Sequence, residues 1–532
     1  MMMDVPLTLD LLADRAERWM GQVEVVSRRH DRSISRTTYG HAIARARRLA
    51  KALVNIGIQR GDRVATLMWN HAEHLEAYFG NPLAGAVIHT LNLRLHPMEI
   101  AFTAIDARDR VLVVDDCLLP LYEKVAAAGK VFERVIVVGP GDAGGHERYE
   151  EFLAGAPIGE QLPRMSEQDP LGTCYTSGTT GQPKGVVYSH RSTILHTLVA
   201  SLPDSLGLGR ADTLLPVVPM FHVNAWGLPY TAAFVGAKLV LPGPHLDPAS
   251  LLDLLAGEHV TVSAGVPTIW LGIREALDAS PGKWTLQPGL RMIVGGSAAP
   301  EQLIRDFDRL GMTLLHAWGM TETSPIGLVS RLPPHLAHAD EALQYKLRSK
   351  QGVAPPLVDV RVRNEAGDVP RDGKTSGELL VRGPWIAGAY VGGHTPERWT
   401  DDGYFRTGDV AHVDEHGFVQ LTDRIADLIK SGGEWIASQE LENALMGHPA
   451  VREAAVIGVP HPKWSERPLA VYVLKPGAAA TEDELRAYLA PRFAKFWLPD
   501  AFVLVDAIPR TSAGKFKKTE LRDRFRSHFT VP

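Results

Sequence analysis

Residues 175–190 read YTSGTTGQPKGVVYSH. Thr176, Ser177, Thr179 and Thr180 set four hydroxyls beside Gly178, Gly181 and Gly185, and Lys184 adds a cation. Glycines let successive backbone N–H groups converge on an anion, hydroxyls donate to phosphate oxygens, and a lysine offsets the charge of leaving phosphates. The segment is built for a polyphosphate. It departs from the familiar nucleotide loop, because Lys184 is followed by Gly185 rather than Ser or Thr and the glycine spacing differs. A plain Gly/Ser/Thr surface turn would account for a short fragment, but not for the whole run set between an apolar strand and a helix.

Outward from this loop, the first part of the chain alternates helical and strand patterns in the manner of a layered α/β unit. Helical spacing predicts helices over residues 39–53 and 74–86, and the apolar runs 63–69 (RVATLMW), 110–115 (RVLVVD) and 134–139 (RVIVVG) predict buried strands. Such alternation argues for mainly parallel sheets covered on both faces. After residue 350, glycine and proline thicken (Gly352, Pro355, Pro356, Gly367, Gly373, Gly377), predicting a β-rich subdomain of short strands and turns. Beyond Arg424, helices at 438–446 and 482–489 and strands at 454–459, 470–474 and 502–505 make a small α+β unit of a size to fold alone. The expected organisation is a large multi-subdomain N-terminal domain, 1–423, and a small mobile C-terminal domain, 424–532, with a hinge near 423–427.

Length and charge agree with several units and a local site. At about 100 to 200 residues per domain, a long chain divides into three or four compact units, and this one has 532 residues. With 56 Lys and Arg against 61 Asp and Glu, the net charge of −5 leaves no global basic field for nucleic acid, so phosphate must be met locally. Two cysteines, Cys117 and Cys174, exclude a disulfide framework and a cysteine-rich metal site. No basic leader with an apolar core opens the chain and no apolar run is long enough to span a membrane, so a cytoplasmic protein is expected.

Four further segments carry chemistry. In WGMTETSP, 318–325, the Glu322 carboxylate is a hard oxygen ligand suited to Mg²⁺ and Trp318 is flat enough to stack on a purine. In RTGDV, 406–410, Asp409 follows a turn-forming glycine, where a fixed carboxylate can accept from two ribose hydroxyls. GGSAAP, 295–300, has Ala299 where a serine-hydrolase elbow needs glycine, so Ser297 is not a nucleophile. PRTSAGKFKK, 509–518, offers Lys515, whose ammonium would matter most where charge builds on a phosphate under attack.

The hydroxyl loop, WGMTETSP, YFRTGDV at 404–410, DRIADLIKSGGEWI at 423–436 and PRTSAGKFKK, five segments in order, resemble the adenylate-forming superfamily of acyl-CoA synthetases, firefly luciferase-like enzymes and carrier-protein adenylation domains. The resemblance implies Mg²⁺·ATP held by the loop and Glu322, with Thr176 and Glu322 as metal-side oxygens. It implies adenine lying along Gly296, Ser297 and Ala298 and against the strand of His316, Ala317, Trp318, Gly319, Met320 and Thr321. Asp409 becomes the ribose ligand with Arg424 as its cationic neighbour, and Lys515 the adenylation lysine swung in by the small domain. Lys517 and Lys518 are either a solvated face or contacts to CoA phosphates. At the pivot, relatives commonly carry Lys or Asp where this chain has Ala426, which should alter the balance between half-reactions rather than abolish either.

The blocks 427–449 and 461–468 (HPKWSERP), with VVPMFHVNAWGLPY at 217–230, look most like bacterial fatty-acyl-CoA synthetases. That likeness makes Trp226 a gate to an apolar acyl tunnel, His222 the carboxylate end of it, and Val266, Trp270, Gly295 and Pro325 its neighbours. It brings CoA to Lys430, Gly432, Gly433, Glu434, Trp435 and Glu466. The implied activity is an AMP-forming acyl-CoA synthetase using a carboxylic acid, ATP, Mg²⁺ and CoA, expected as a homodimer. A ligase for short acids such as 3-methylmercaptopropionate is the alternative, and an enzyme loading a separate carrier protein is another, since the chain ends at Pro532 without a carrier domain. A non-catalytic ATP-binding protein is disfavoured because both Lys515 and Glu322 are present.

Overall fold

The predicted helix near Tyr39 begins where Thr38 caps the His41 N–H and runs over Tyr39–Asn55, its apolar stripe from Ile43 to Leu53 facing inward. The β-branched runs become the strands Arg63–Leu67, Asp109–Asp115 and Arg134–Val138, buried on both faces. The computed structural model describes residues 1–129, 131–157, 161–176, 182–431, 434–511 and 515–529.

Two large sheets result. One has seven strands and runs from Glu147–Arg148 at one edge through Arg63–Leu67 to Pro170–Tyr175 and Gly185–Ser189 at the other. Its neighbours are parallel except for the last pair, which is antiparallel. The second has eight strands, with a parallel interior formed by Glu24–Arg28, Lys238–Leu241, Thr213–Pro216, Val262–Gly265, Arg291–Val294 and Thr313–Gly319. The helix Ala72–Leu83 touches Glu24–Arg28 of one sheet and Arg63–Leu67 of the other, which is why almost every residue on it is buried. Its buried acid, Glu76, is matched by Arg45 at 2.7 Å and the Tyr149 hydroxyl at 2.9 Å.

The glycine-rich part forms an antiparallel five-stranded sheet ending in Val419–Arg424. The chain leaves that sheet at Arg424 and enters a second five-stranded sheet at Ile429, the core of the C-terminal α+β unit. Helices Ser438–Met446 and Glu482–Leu489 fall where the spacing predicts them. The strands Val451–His461 and Ser465–Leu474 run longer than the apolar spans, because residues 459–461 and 465–467 keep pairing past the core edge. Among the described residues no helix is long and apolar enough to cross a membrane.

Candidate active site

Parallel strands leave a crevice outside their carboxyl ends. Three adjacent strands of the eight-stranded sheet end there together: Val262–Gly265 runs into Val266, Arg291–Val294 into Gly295 and Gly296, and Thr313–Gly319 into Met320. Gly295 is required by close approach. A side chain there would begin 3.1 Å from the Trp226 ring and 3.2 Å from the Ala317 carbonyl oxygen. Val266 Cγ1 stands 3.3 Å from where a side chain on Gly296 would begin. Beyond these, Ser297 is exposed and Ala298 half-buried, on the crevice side of the strand end.

The hydroxyl loop joins two antiparallel strands rather than a strand and a helix, since Val186, Val187 and Tyr188 favour a return strand before the helix His190–Ser201 begins. Its mouth is closed by Thr176, whose N–H donates to the Lys184 carbonyl at 3.0 Å and whose hydroxyl accepts the Lys184 N–H at 3.1 Å. Ser177, Gly178, Thr179, Thr180 and Gly181 lie outside the described residues. The Lys184 ammonium donates to Thr395 Oγ1 at 3.2 Å and stands 5.3 Å above the Tyr390 ring.

Glu322 sits in a short turn after Met320, 5% exposed, and accepts the Tyr390 hydroxyl on Oε1. Among the described residues no donor reaches Oε2. Strand register sets Asp409 opposite Arg424; Oδ1 receives Arg424 Nε at 2.7 Å and Oδ2 receives Trp318 Nε1 at 3.0 Å. Each oxygen therefore keeps one lone pair for a further donor. Trp318 lies against Gly327 and is half-buried, so its N–H orients Asp409 whatever its face contacts.

The small domain places Lys515 among these charges. Enclosure in the cleft, with the Arg424 guanidinium nearby, pushes the Lys515 ammonium down to about 8, and Asp409 and Glu322 oppose the shift. Burial, helped by Lys515 and Arg94, pushes His222 down to about 4, so its imidazole is neutral at ordinary pH. Lys184, Glu322, Asp409, Arg424, Lys515 and His222 thus belong to one crevice.

His222 opens an unusual turn. Val223, Asn224, Ala225 and Trp226 have φ of +46°, +49°, +47° and +60°, followed by Gly227 at +69°. For non-glycine residues this left-handed conformation costs about 1–2 kcal/mol each. The turn is held by Asn224, whose Oδ1 accepts the buried Cys174 thiol at 3.2 Å, and it lays the Trp226 ring on Gly295. Neither Asn224 nor Tyr390 was legible as a site residue: a single glycine in HVNAWG does not announce a left-handed turn, and the only hint at Tyr390 is the glycine pair after it.

Several expected positions are used elsewhere. His316 is 1% exposed and donates through Nδ1 to the Ser349 carbonyl at 3.0 Å, and burial pushes it down to about 4, so its side chain is committed within the interior. Trp270 is fully buried against Gly265 in the core and offers no wall to a ligand. Pro325 is buried, its carbonyl accepting the Thr323 hydroxyl, and Thr321 accepts the Tyr188 hydroxyl at 2.9 Å. Lys518 is paired inside the small domain with Glu442 at 2.7 Å and Ser438 at 2.6 Å, and Lys517 pairs with Glu520 at 3.3 Å.

The expected CoA side is not assembled around the crevice. Trp435 is 53% exposed and lines the cleft between the domains, of about 1430 Å³, with Lys350, His412 and Asp414 rather than with the phosphate candidates. The Lys430 ammonium stands 5.5 Å above the Trp435 ring and its N–H donates to Glu466 at 3.0 Å. Gly432, Gly433 and the Glu434 side chain lie outside the described residues.

Comparison with known proteins fits this geometry. The AMP-binding enzyme family matches residues 12–391 and the AMP-binding enzyme C-terminal domain matches residues 440–515. The chain belongs to the AMP-binding enzyme family. It is 50% identical to a long-chain-fatty-acid–CoA ligase of Thermus thermophilus, over 99% of this chain and 97% of that one. It is 43% identical to a 3-methylmercaptopropionyl-CoA ligase of Ruegeria pomeroyi, over 99% of each. Its fold matches the crystal structure of the anthranilate CoA ligase AuaEII in complex with anthranoyl-AMP, with a TM-score of 0.87, 24% identity and 99% of each chain covered. The protein is an AMP-forming acid–CoA ligase.

Proposed function

We propose that the protein activates a fatty acid in two steps that share the crevice. The carboxylate attacks the α-phosphate of ATP, releasing pyrophosphate, while Lys184, Lys515 and the hydroxyl loop offset the charge that builds. Neutral His222 donates to the acid without adding charge, and Asp409 with Arg424 fixes the ribose. The donor chemistry suits Mg²⁺: Glu322 is a buried carboxylate whose Oε2 meets no donor among the described residues. Glu322 and Thr176 would hold Mg²⁺, which would supply charge neutralisation to the phosphates. The small domain, 424–532, then turns about residues 423–427, bringing Lys430, residues 432–433, Glu434, Trp435 and Glu466 to the crevice. The CoA thiol attacks the acyl carbonyl, and AMP leaves with the electron pair of the broken bond.

The observation that carries the reading is the gathering of Lys184, Glu322, Asp409 and Lys515, one each from the seven-stranded sheet, the eight-stranded sheet, the antiparallel five-stranded sheet and the C-terminal unit, around one crevice. The fatty-acid choice draws on the Thermus relative and on Trp226 over Gly295. A short-chain reading is favoured by the Ruegeria relative. A panel from short to long acids, with 3-methylmercaptopropionate, scored by AMP release, separates them: a maximum on the short acids replaces the fatty-acid reading. Offering CoA and a pantetheinylated carrier side by side decides the acceptor. The same reading makes the protein a cytoplasmic homodimer, which fractionation and sedimentation test.

A further inference from the structure

Residues 390–395, YVGGHT, cross the phosphate hairpin. Val391 is seated so closely that a side chain on Gly185 would begin 2.9 Å from its Cγ2. From this strap Tyr390 reaches two charged groups at once: its hydroxyl donates to Glu322 Oε1, and its ring lies 5.3 Å beneath the Lys184 ammonium. Thr395 Oγ1 accepts from the same ammonium at 3.2 Å. The ring is set by packing, edge-on to Trp399 at 5.3 Å and to Phe405 at 6.5 Å, and Tyr390 is 6% exposed. Burial and the Glu322 carboxylate raise the phenol's pKa, so it stays a donor.

We propose that Tyr390 is a positioning residue for both halves of the phosphate site: its hydroxyl orients the Glu322 carboxylate so that Oε2 is left to a divalent cation, and its ring steadies the Lys184 ammonium above the hairpin. A carboxylate ligand is useful only when its remaining oxygen is fixed, which is the task of its outer hydrogen bond. The ring–ammonium contact is a cation–π interaction that needs no hydroxyl. The two functions are therefore separable in one side chain, and the inference rests on the adenylation reading of the site.

The test uses the full chain and a non-hydrolysable ATP analogue, its binding measured by calorimetry at zero and increasing Mg²⁺, with pyrophosphate exchange alongside. Tyr390→Phe keeps the ring and the packing. It should raise the Mg²⁺ concentration at half-effect about tenfold and leave Mg²⁺-free binding unchanged. Thr395→Val should do the reverse, weakening Mg²⁺-free binding about threefold with the Mg²⁺ midpoint unmoved. Tyr390→Leu should show both effects. An unchanged Mg²⁺ midpoint in Tyr390→Phe, or equal weakening with and without Mg²⁺, overturns the proposal. Failure of the parent protein to bind the analogue overturns the adenylation reading itself.

Discussion

The hairpin that carries Lys184 and the turn that carries Lys515 are closed by the same device. In each, a threonine N–H donates to the lysine carbonyl and the threonine hydroxyl accepts the lysine N–H, at 3.0 and 3.1 Å for Thr176 with Lys184 and at 2.7 and 3.2 Å for Thr511 with Lys515. The ammonium groups differ. That of Lys184 is committed to Thr395 and Tyr390 within the large domain. That of Lys515 has no hydrogen bond to the described residues and is destabilised by enclosure beside Arg424. One lysine is fixed within the large domain. The other is presented by a second domain, and in the proposed adenylation step a phosphate would meet its charge.

If that contrast is right, the deepest cut comes from Lys515→Ala. Pyrophosphate exchange should fall by about 100- to 1000-fold, the scale of one lost charge-stabilising donor. Thioester formation from supplied acyl-AMP and CoA should survive. Equal damage to the two half-reactions would make the two lysines equivalent and end the comparison.

The pH dependence is next in size. A lysine whose pKa is pushed down to about 8 is charged below that pH and loses its proton above it. Adenylation measured as kcat/KM should therefore hold below pH 8 and decline about tenfold per unit well above it, following one proton. In Lys515→Arg the guanidinium stays charged, so the level can be lower but the decline should vanish. A decline that persists in the arginine variant would assign the proton elsewhere.

The clasps themselves give a smaller effect. Thr511→Val and Thr176→Val each remove one hydroxyl acceptor, worth about a fivefold change in rate or affinity. Thr511→Val should slow adenylation alone, because only the presented lysine moves. Thr176→Val should raise the KM for ATP, if the hairpin holds the phosphates as proposed. Identical kinetic signatures in the two variants would erase the distinction.

What could be read in advance follows from what residue order encodes. Strand and helix patterns, the hydroxyl loop, Glu322, Asp409 and Lys515 are local signals, and the parallel sheets with an appended α+β unit follow from them. Whether a polar atom is already committed is not local. His316 and Lys518 look like ligands until Ser349 and Glu442 are seen to claim them, and Trp270 looks like a pocket wall until its neighbours enclose it. Tyr390 and Asn224 were missed for the converse reason: their roles exist only through Glu322 and Cys174, brought near by folding.

Ala426 carries the contrast to the joint between the domains. On one side of it the Ile425 N–H donates to the Gly408 carbonyl of the large domain at 2.9 Å; on the other, Asp427 accepts Arg522 of the last helix at 2.7 Å. The turn is closed from within by the Asp427 and Leu428 N–H groups on the Arg424 carbonyl, at 2.9 and 3.0 Å. Ala426, exposed between them, has a side chain too short to join either partner. A lysine there can reach an acidic neighbour in one domain orientation and lose it in the other, and an exposed ion pair of that kind shifts an equilibrium by about two- to fivefold. Ala426→Lys should therefore change the ratio of the two half-reactions by that factor with no change in melting temperature. The measurements are single-turnover pyrophosphate release and single-turnover thioester formation from acyl-AMP. If both rates match the parent, the identity of residue 426 does not bias the orientation that presents Lys515, and the difference between the two lysines must arise from the cleft alone.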